Sequence, residues 1–515
     1  MSMTRDLLCS EYGLTCAGDA PVVVGADKLA PLAEQFVLRG APLVFMYATD
    51  ERKLPAAGYA VHAVFSVPND GFLTLRALLG SDTPSYPSLT RSVMAAHWFE
   101  RLMFDQFGIV AQGHPDWRRL MHHENVPLDT HPLRKDFAWN MKLPYAEEAY
   151  PMHQVEGRGV YEIPVGPIHA GIIEPGHFRF NVRGERILTL EGKLFFTHKG
   201  VEKLVEGKTP EEAMPFVERI SGDMVVGHTL AYAQAVERAV GASVSARAAH
   251  LRVVWSELER LSAHIFDLGN MAGNGTGFTF MAAQGFRMLE ELRRLYETLV
   301  GHRYLRGTIT LGGAHDIDAA GEQELRAQLI KTERELASIL RIAFTTDGLM
   351  ERFETTGVLS EVAARAYGAR GIAARGSGIA TDFRIEYPYA AYPEFSFSVV
   401  TEPAGDVAAR FRVRAREAAE SIALIRVALR SLPKGEATVS VVPKEGSALG
   451  WAESFRGAII DFVRLDAAGN IDRLAISDPS FTNWPLFGEI GPGNIVPDFP
   501  LCNKSLGLSY SGTDL

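Results

Sequence analysis

The chain has 515 residues, too many for one ordinary hydrophobic core, so two or three domains are expected. At 47% hydrophobic and 22% charged it reads as globular, and a formal net charge of −10 argues against general nucleic-acid binding. No apolar run is long enough to span a bilayer, Met1–Leu14 lacks the basic and apolar regions of a signal peptide, and three scattered cysteines (Cys9, Cys16, Cys502) make neither a disulfide framework nor a common metal motif.

Residues 20–140 read as an α+β unit. Short strands are expected over 42–47, 59–65 and 72–76, separated by Pro, Asn, Asp and Gly, and a helix over 89–107. An ordered set of residues follows: His97, Trp98, Glu100, Arg101, Asp105 and Gly108, then His114, Pro115, Asp116, Arg118 and Arg119, then His131, Pro132, Arg134, Lys135 and Asp136. Over about forty residues this resembles the signature of the 30-kDa subunit of the respiratory NADH–quinone oxidoreductase, complex I. Residues 138–158 are mixed in charge and hold Pro144 and Pro151, which predicts an irregular linker.

The second part, residues 157–515, opens with strands expected over 161–165, 177–182, 186–190 and 194–197, with a hairpin turn at Gly184. Helical periodicity then covers 215–240, 245–270, 281–301, 322–346 and 406–431, and strands return at 438–442 and 458–465. Arg219, Gly222, His228, Ala231 and Tyr232 keep the frame of the first metal-binding segment of [NiFe] hydrogenase large subunits, and Asp478-Pro479 keeps that of the second. Glu257, Arg260, His264, Asp406, Arg410, Glu453 and Arg456 match positions shared with the 49-kDa subunit of complex I. With both parts in one polypeptide, the chain resembles the large subunit of formate-hydrogenlyase-type, energy-converting hydrogenases. The expected fold is α+β: a 30-kDa-like α/β domain, then a mainly helical 49-kDa-like domain with a small antiparallel sheet.

The resemblance also shows where the chain departs. The four positions that carry nickel-binding cysteines in the hydrogenases are Ser221, Met224, Ser480 and Asn483. A nickel–iron pair needs ionised sulfur, two of its four thiolates bridging. A serine hydroxyl stays protonated, a thioether is neutral, and an amide oxygen is a weak ligand. No metal is therefore expected at this site, and no iron–sulfur cluster bound by this chain alone.

The resemblance implies roles for a few neighbours. Glu174 sits where the hydrogenases place a glutamate linked to proton delivery; pairing with Arg179 is the plain alternative. Tyr232 falls on the quinone-headgroup tyrosine of complex I, but the matching histidine position is Ile173. His228 lies one turn before Tyr232, so both are expected to face one cavity. His169, in the same loop as Glu174, is with Tyr232 a candidate for binding the quinone-like cofactor. Asp223 and Asp461 are acids new to such a site, as proton carriers or as polar filling. The C-terminal tail is expected to pack over the site or against a neighbour. Expected partners are an iron–sulfur subunit holding its own clusters and antiporter-like membrane subunits, on the cytoplasmic face of the inner membrane. A quinone-like acceptor is the candidate ligand. The readings that stand are a subunit at the electron-transfer, quinone or proton-coupling junction, a non-catalytic coupling subunit, and, behind both, a true hydrogenase.

Overall fold

A computed structural model describes residues 3–55, 57–169 and 173–515. Strands β1 (Val22–Val24), β2 (Leu43–Asp50), β3 (Tyr59–Val67) and β4 (Gly71–Leu79) form one sheet in the order β1-β4-β3-β2. Only β1 pairs in parallel. Helix α1 (Ala26–Leu38), which carries no strong motif, lays Phe36 edge-on against Phe65 of β3. The helix expected from 89 is shorter. A 3-10 turn, Met94–Ala96, leads into α2 (His97–Phe107), and the preceding residues are tied down instead by Glu100, which accepts from Leu89 N (2.8 Å) and Thr90 Oγ1 (2.6 Å). Cys9 and Cys16, expected to stand apart, are paired as a disulfide beside the helix Arg5–Glu11, and Cys502 is free and buried. The linker is without regular structure from 141 to 156.

The second part opens with an antiparallel sheet, β5 (Val160–Val165), β6 (His177–Arg183) and β7 (Arg186–Lys193), turning at Gly184 with φ 62°. The fourth strand expected there, 194–197, is absent. Phe195 takes φ 68°, and Phe195 and Thr197 give their N–H groups to the Asp514 carboxylate at 2.9 Å rather than to a ladder. The single helix expected over 215–240 is two: α3 (Pro210–Val217) and α4 (Val225–Val240), parted by a loop through Ser221–Met224. Buried Glu259 explains the restart. Its carboxylate accepts from Val226 N (2.6 Å) and Gly227 N (3.0 Å), satisfying free donors of the new first turn.

Four long helices make the bulk of this part: α5 (Ala246–Thr276), α6 (Thr279–Val300), α7 (Ala319–Phe344) and α8 (Val407–Arg430). Thr438 forms an isolated bridge to Gly313 rather than the strand expected at 438–442. The real neighbours of β9 (Gly457–Leu465) are β8 (Gly446–Ser454) and β10 (Ile471–Ser477), antiparallel on either side. Strand β8 lies directly on α4. A Cβ at Gly450 would fall 2.1 Å from Ala231 O, so glycine is what permits the contact. The chain closes with α9 (Pro479–Asn483), α10 (Phe499–Leu506) and α11 (Tyr510–Asp514). No helix among the described residues is long and apolar enough to cross a membrane.

Candidate functional site

The two hydrogenase-like segments meet where the start of α4 faces α9. Asp478 N-caps α9 through Ser480 N (2.6 Å) and holds His228 Nε2 of α4 at 3.0 Å, both side chains fully buried. That bond ties the second segment to the first. A second tie comes from the tail. Ser509 Oγ lies 3.0 Å from Ser221 Oγ, and Ser509 N donates to Ser480 Oγ at 3.0 Å. One tail residue thus spans Ser221 and Ser480, two of the positions that the resemblance matches to hydrogenase cysteines. Gly512 completes the fit, since a Cβ there would fall 2.4 Å from Asp478 Oδ2. The expected packing of the tail over the site is what the structure has.

The other two ligand positions are also committed. Met224 is fully buried with Sδ 3.6 Å from the Arg456 guanidinium, and Asn483 makes a double bond pair with Arg370, accepting from its N (2.9 Å) and donating to its O (3.1 Å). Arg456 itself grips Asp223 with two nitrogens, at 2.8 and 2.7 Å. Asp223 is nearly half exposed, so burial opposes its ionisation little, and that guanidinium holds the carboxyl down at about 2. For Glu259 the balance reverses: burial pushes its carboxyl up to about 8 despite two backbone donors. Both line a cavity of about 130 Å³ whose wall also includes Asp267, Arg293 and Arg303.

The structure separates the remaining predicted residues. His228 and Tyr232 lie one turn apart on α4, yet His228 turns to Asp478 while Tyr232 points its hydroxyl at Pro210 O (3.0 Å). Tyr232 packs among Val201, Val217, Val236 and Leu474, fully buried, and burial raises its phenol well above the ordinary value. Glu174 is exposed, not desolvated, and its carboxylate accepts from Ser511 N and Oγ of the tail; Arg179 pairs with Glu162 instead. His169 bonds Gly176 O within its own loop at 3.0 Å, and Ala170–Ile172 of that loop lie outside the described residues. Asp461 is fully buried, its carboxyl oxygens have no hydrogen-bond partner among the described residues, and burial raises it well above its ordinary value. Among the described residues no group of three or more His, Cys, Asp or Glu is placed to hold a metal ion. Sequence reasoning missed Ser509, Gly512, Asp514 and Glu259, which carry no motif; only the apolar and aromatic character of the tail pointed toward them.

Comparison with known proteins decides the family. Residues 22–142 match the model of the respiratory-chain NADH dehydrogenase 30-kDa subunit, 199–270 that of nickel-dependent hydrogenase, and 273–444 that of the 49-kDa subunit. Formate hydrogenlyase subunit 5 of Escherichia coli is 32% identical over 96% of this chain and 88% of its own length. Hydrogenase-4 component G of the same organism is 33% identical over 92% and 83%. The carbon monoxide-induced hydrogenase of Rhodospirillum rubrum is 31% identical, and 99% of its length matches 69% of this chain.

This chain belongs to the family of fused 30-kDa/49-kDa hydrogenase and complex I subunits. The α+β architecture and the order of its two parts are those of that family. The two Escherichia coli relatives are named as parts of larger assemblies, which implies partner subunits here as well.

Proposed function

We propose that this chain is a subunit of a membrane-attached energy-converting oxidoreductase complex, acting at its electron-transfer and proton-coupling junction without a nickel–iron centre. The observation that carries the reading is Ser509, hydrogen-bonded at once to Ser221 and Ser480. The residues present do not fit a nickel–iron pair. Two hydroxyls, a thioether and an amide stand at the four thiolate positions, and each is already satisfied by Ser509, Asp223, Arg456 or Arg370. They fit a quinone headgroup no better: Ile173 replaces the histidine partner, and the Tyr232 hydroxyl is spent on Pro210 O. No chemical step is therefore routed through either group.

What remains is a set of buried ionisable side chains around the junction. Burial raises the Asp461 carboxyl, which has no hydrogen-bond partner among the described residues. Asp478 and His228 share one hydrogen bond. Glu259 sits near neutrality at the edge of a small cavity. Partners would be an iron–sulfur subunit supplying electrons from its own clusters and antiporter-like membrane subunits that anchor the assembly to the cytoplasmic face of the inner membrane. The test is elemental and kinetic. The purified complex is expected to contain iron but no stoichiometric nickel, and to neither evolve nor consume hydrogen. About one nickel per chain with hydrogen-dependent dye reduction would restore the hydrogenase reading. If His228→Gln and Glu174→Gln complexes assemble and turn over at the wild-type rate, the chain is a non-catalytic coupling subunit.

A further inference from the structure

Behind the junction, α5 and α8 close on ionisable side chains that the proposed function does not use. Glu257, Arg260 and His264 come from α5, Glu417 from α8 and Glu453 from β8. Arg375 ends the short helix Gly371–Arg375, and Asp382 and Arg384 begin the helix Phe383–Glu386. None of the eight is more than 4% exposed.

The contacts join them into one body. Arg384 takes Asp382 at 2.6 Å and Glu257 at 2.9 Å. Arg375 lies 2.6 Å from Glu417 and 2.8 Å from Glu453, and Arg260 lies 3.4 Å from Glu417. His264 meets Glu417 at 2.8 Å. Guanidiniums do not lose their protons. Three of them face four carboxylates, and a buried body with a net charge is strongly disfavoured. Neutrality requires one further proton, on His264 or on a carboxyl.

Geometry chooses between them. His264 satisfies Glu417 as a neutral imidazole donating from Nε2, and burial disfavours its charged form. Among the carboxylates, Asp382 has Arg384 bound through two nitrogens. Glu257 has Arg384, Ser421 and Tyr392, and Glu417 has Arg375, Arg260 and His264. Glu453 is the least compensated. Its donors are Arg375 Nη1 and, at 3.3 Å, Phe383 N, while its backbone N is spent on the Tyr389 hydroxyl. Arg260 and Arg370 act on it through space, against the like charges of Asp382 and Glu386.

We propose that Glu453 is the site of one exchangeable proton, loaded through Glu386 from the cavity between the two parts of the chain. Glu386 is half-buried, shares the cluster's edge by accepting from Asp382 N, and lines a cavity of about 720 Å³ together with Asp70, Arg238 and Trp451. Burial and the Asp382 charge raise the Glu453 carboxyl; burial and the Glu453 charge raise Glu386 to about 7, the value suited to passing protons at neutral pH. In the loading step Glu386 gives its proton to the Glu453 carboxylate and is reprotonated by a hydronium ion of the cavity water. Over the cycle one O–H bond breaks at hydronium, leaving water, one forms at Glu453, Glu386 is restored, and no electrons move.

The inference deepens the proton-coupling reading and rests on it for its purpose. It is tested without turnover, so either idea can fail alone. Infrared spectra of the full-length chain at neutral pH are expected to hold a protonated-carboxyl stretch, shifted by 13C-glutamate labelling and missing from Glu453→Gln. In Glu386→Gln, a rim variant that leaves the core packed, that band should persist but exchange hydrogen for deuterium roughly ten-fold or more slowly. A Glu453→Gln spectrum that keeps every protonated-carboxyl band, with His264 ring resonances of an imidazolium, overturns the assignment. An unchanged exchange rate in Glu386→Gln overturns the route, and decides the matter even if Glu453→Gln does not fold.

Discussion

Single atoms decide what Tyr232 and His228 do. Period 3.6 places them on one face of α4, but their hydrogen bonds depend on what stands opposite, and that comes from residues 22 and 250 positions away. The Tyr232 phenol donates to Pro210 O inside an apolar cluster. Tyr232→Phe therefore removes one buried bond and leaves a carbonyl unsatisfied, an expected loss of about 1 kcal/mol in denaturant unfolding of the chain. Turnover of the intact complex is expected to stay at the wild-type level. A large fall in turnover with no loss of stability would mean that the hydroxyl serves chemistry, and the quinone reading would return.

The tail acts as an element rather than as scattered contacts. Ser509, the N-cap of α11, bonds Ser221 and Ser480, Ser511 reaches Glu174, and Asp514 at the helix end caps the loop at Phe195 and Thr197. Burial lifts the Asp514 carboxyl from 3.8 to about 6 against those donors. A folded value above the unfolded one means the native state holds the extra proton. That stability is fully present below pH 3.8 and is lost as pH rises through about 6. The wild type should lose up to about 3 kcal/mol relative to Asp514→Asn across that window. Urea unfolding of both proteins at several pH values measures it, and a flat difference would show that Asp514 does not titrate there. The tail also shows what could be read from sequence. Its Pro and aromatic residues announced an ordered segment, and the long helices and the hairpin at Gly184 were visible from periodicity and turn chemistry. Strand β8 was not: Gly446, Ser447, Ala448 and Gly450 give no alternating apolar signal, because α4 lies so close that side chains have no room. The break before α4 was hidden for a related reason, since its cap, Glu259, comes from another helix.

At the scale of the whole molecule, the two parts share one core. Tyr47 of the first sheet stacks on both His62 and Phe462 of β9, each with its ring centroid 4.5 Å away, and His62 and Phe462 lie 6.0 Å apart, so the three rings form one cluster. Arg464 reaches Glu51 at 2.9 Å, Arg473 donates to Ala48 O, Arg370 to Val44 O, and the Tyr387 hydroxyl bonds Ser66. These contacts bury the open face of β2 and β3, which an isolated first part would leave exposed to water with its aromatic residues. The chain is therefore expected to melt in a single calorimetric transition, although its two parts match separate family models. Phe462→Ala removes the ring that β9 contributes to the stack. By the usual cost of emptying an aromatic core site, it should destabilise the chain by about 3–5 kcal/mol and still leave one transition. Two resolved transitions in the wild type would show that the parts fold independently. Two transitions in Phe462→Ala alone would show that this stack is what couples them.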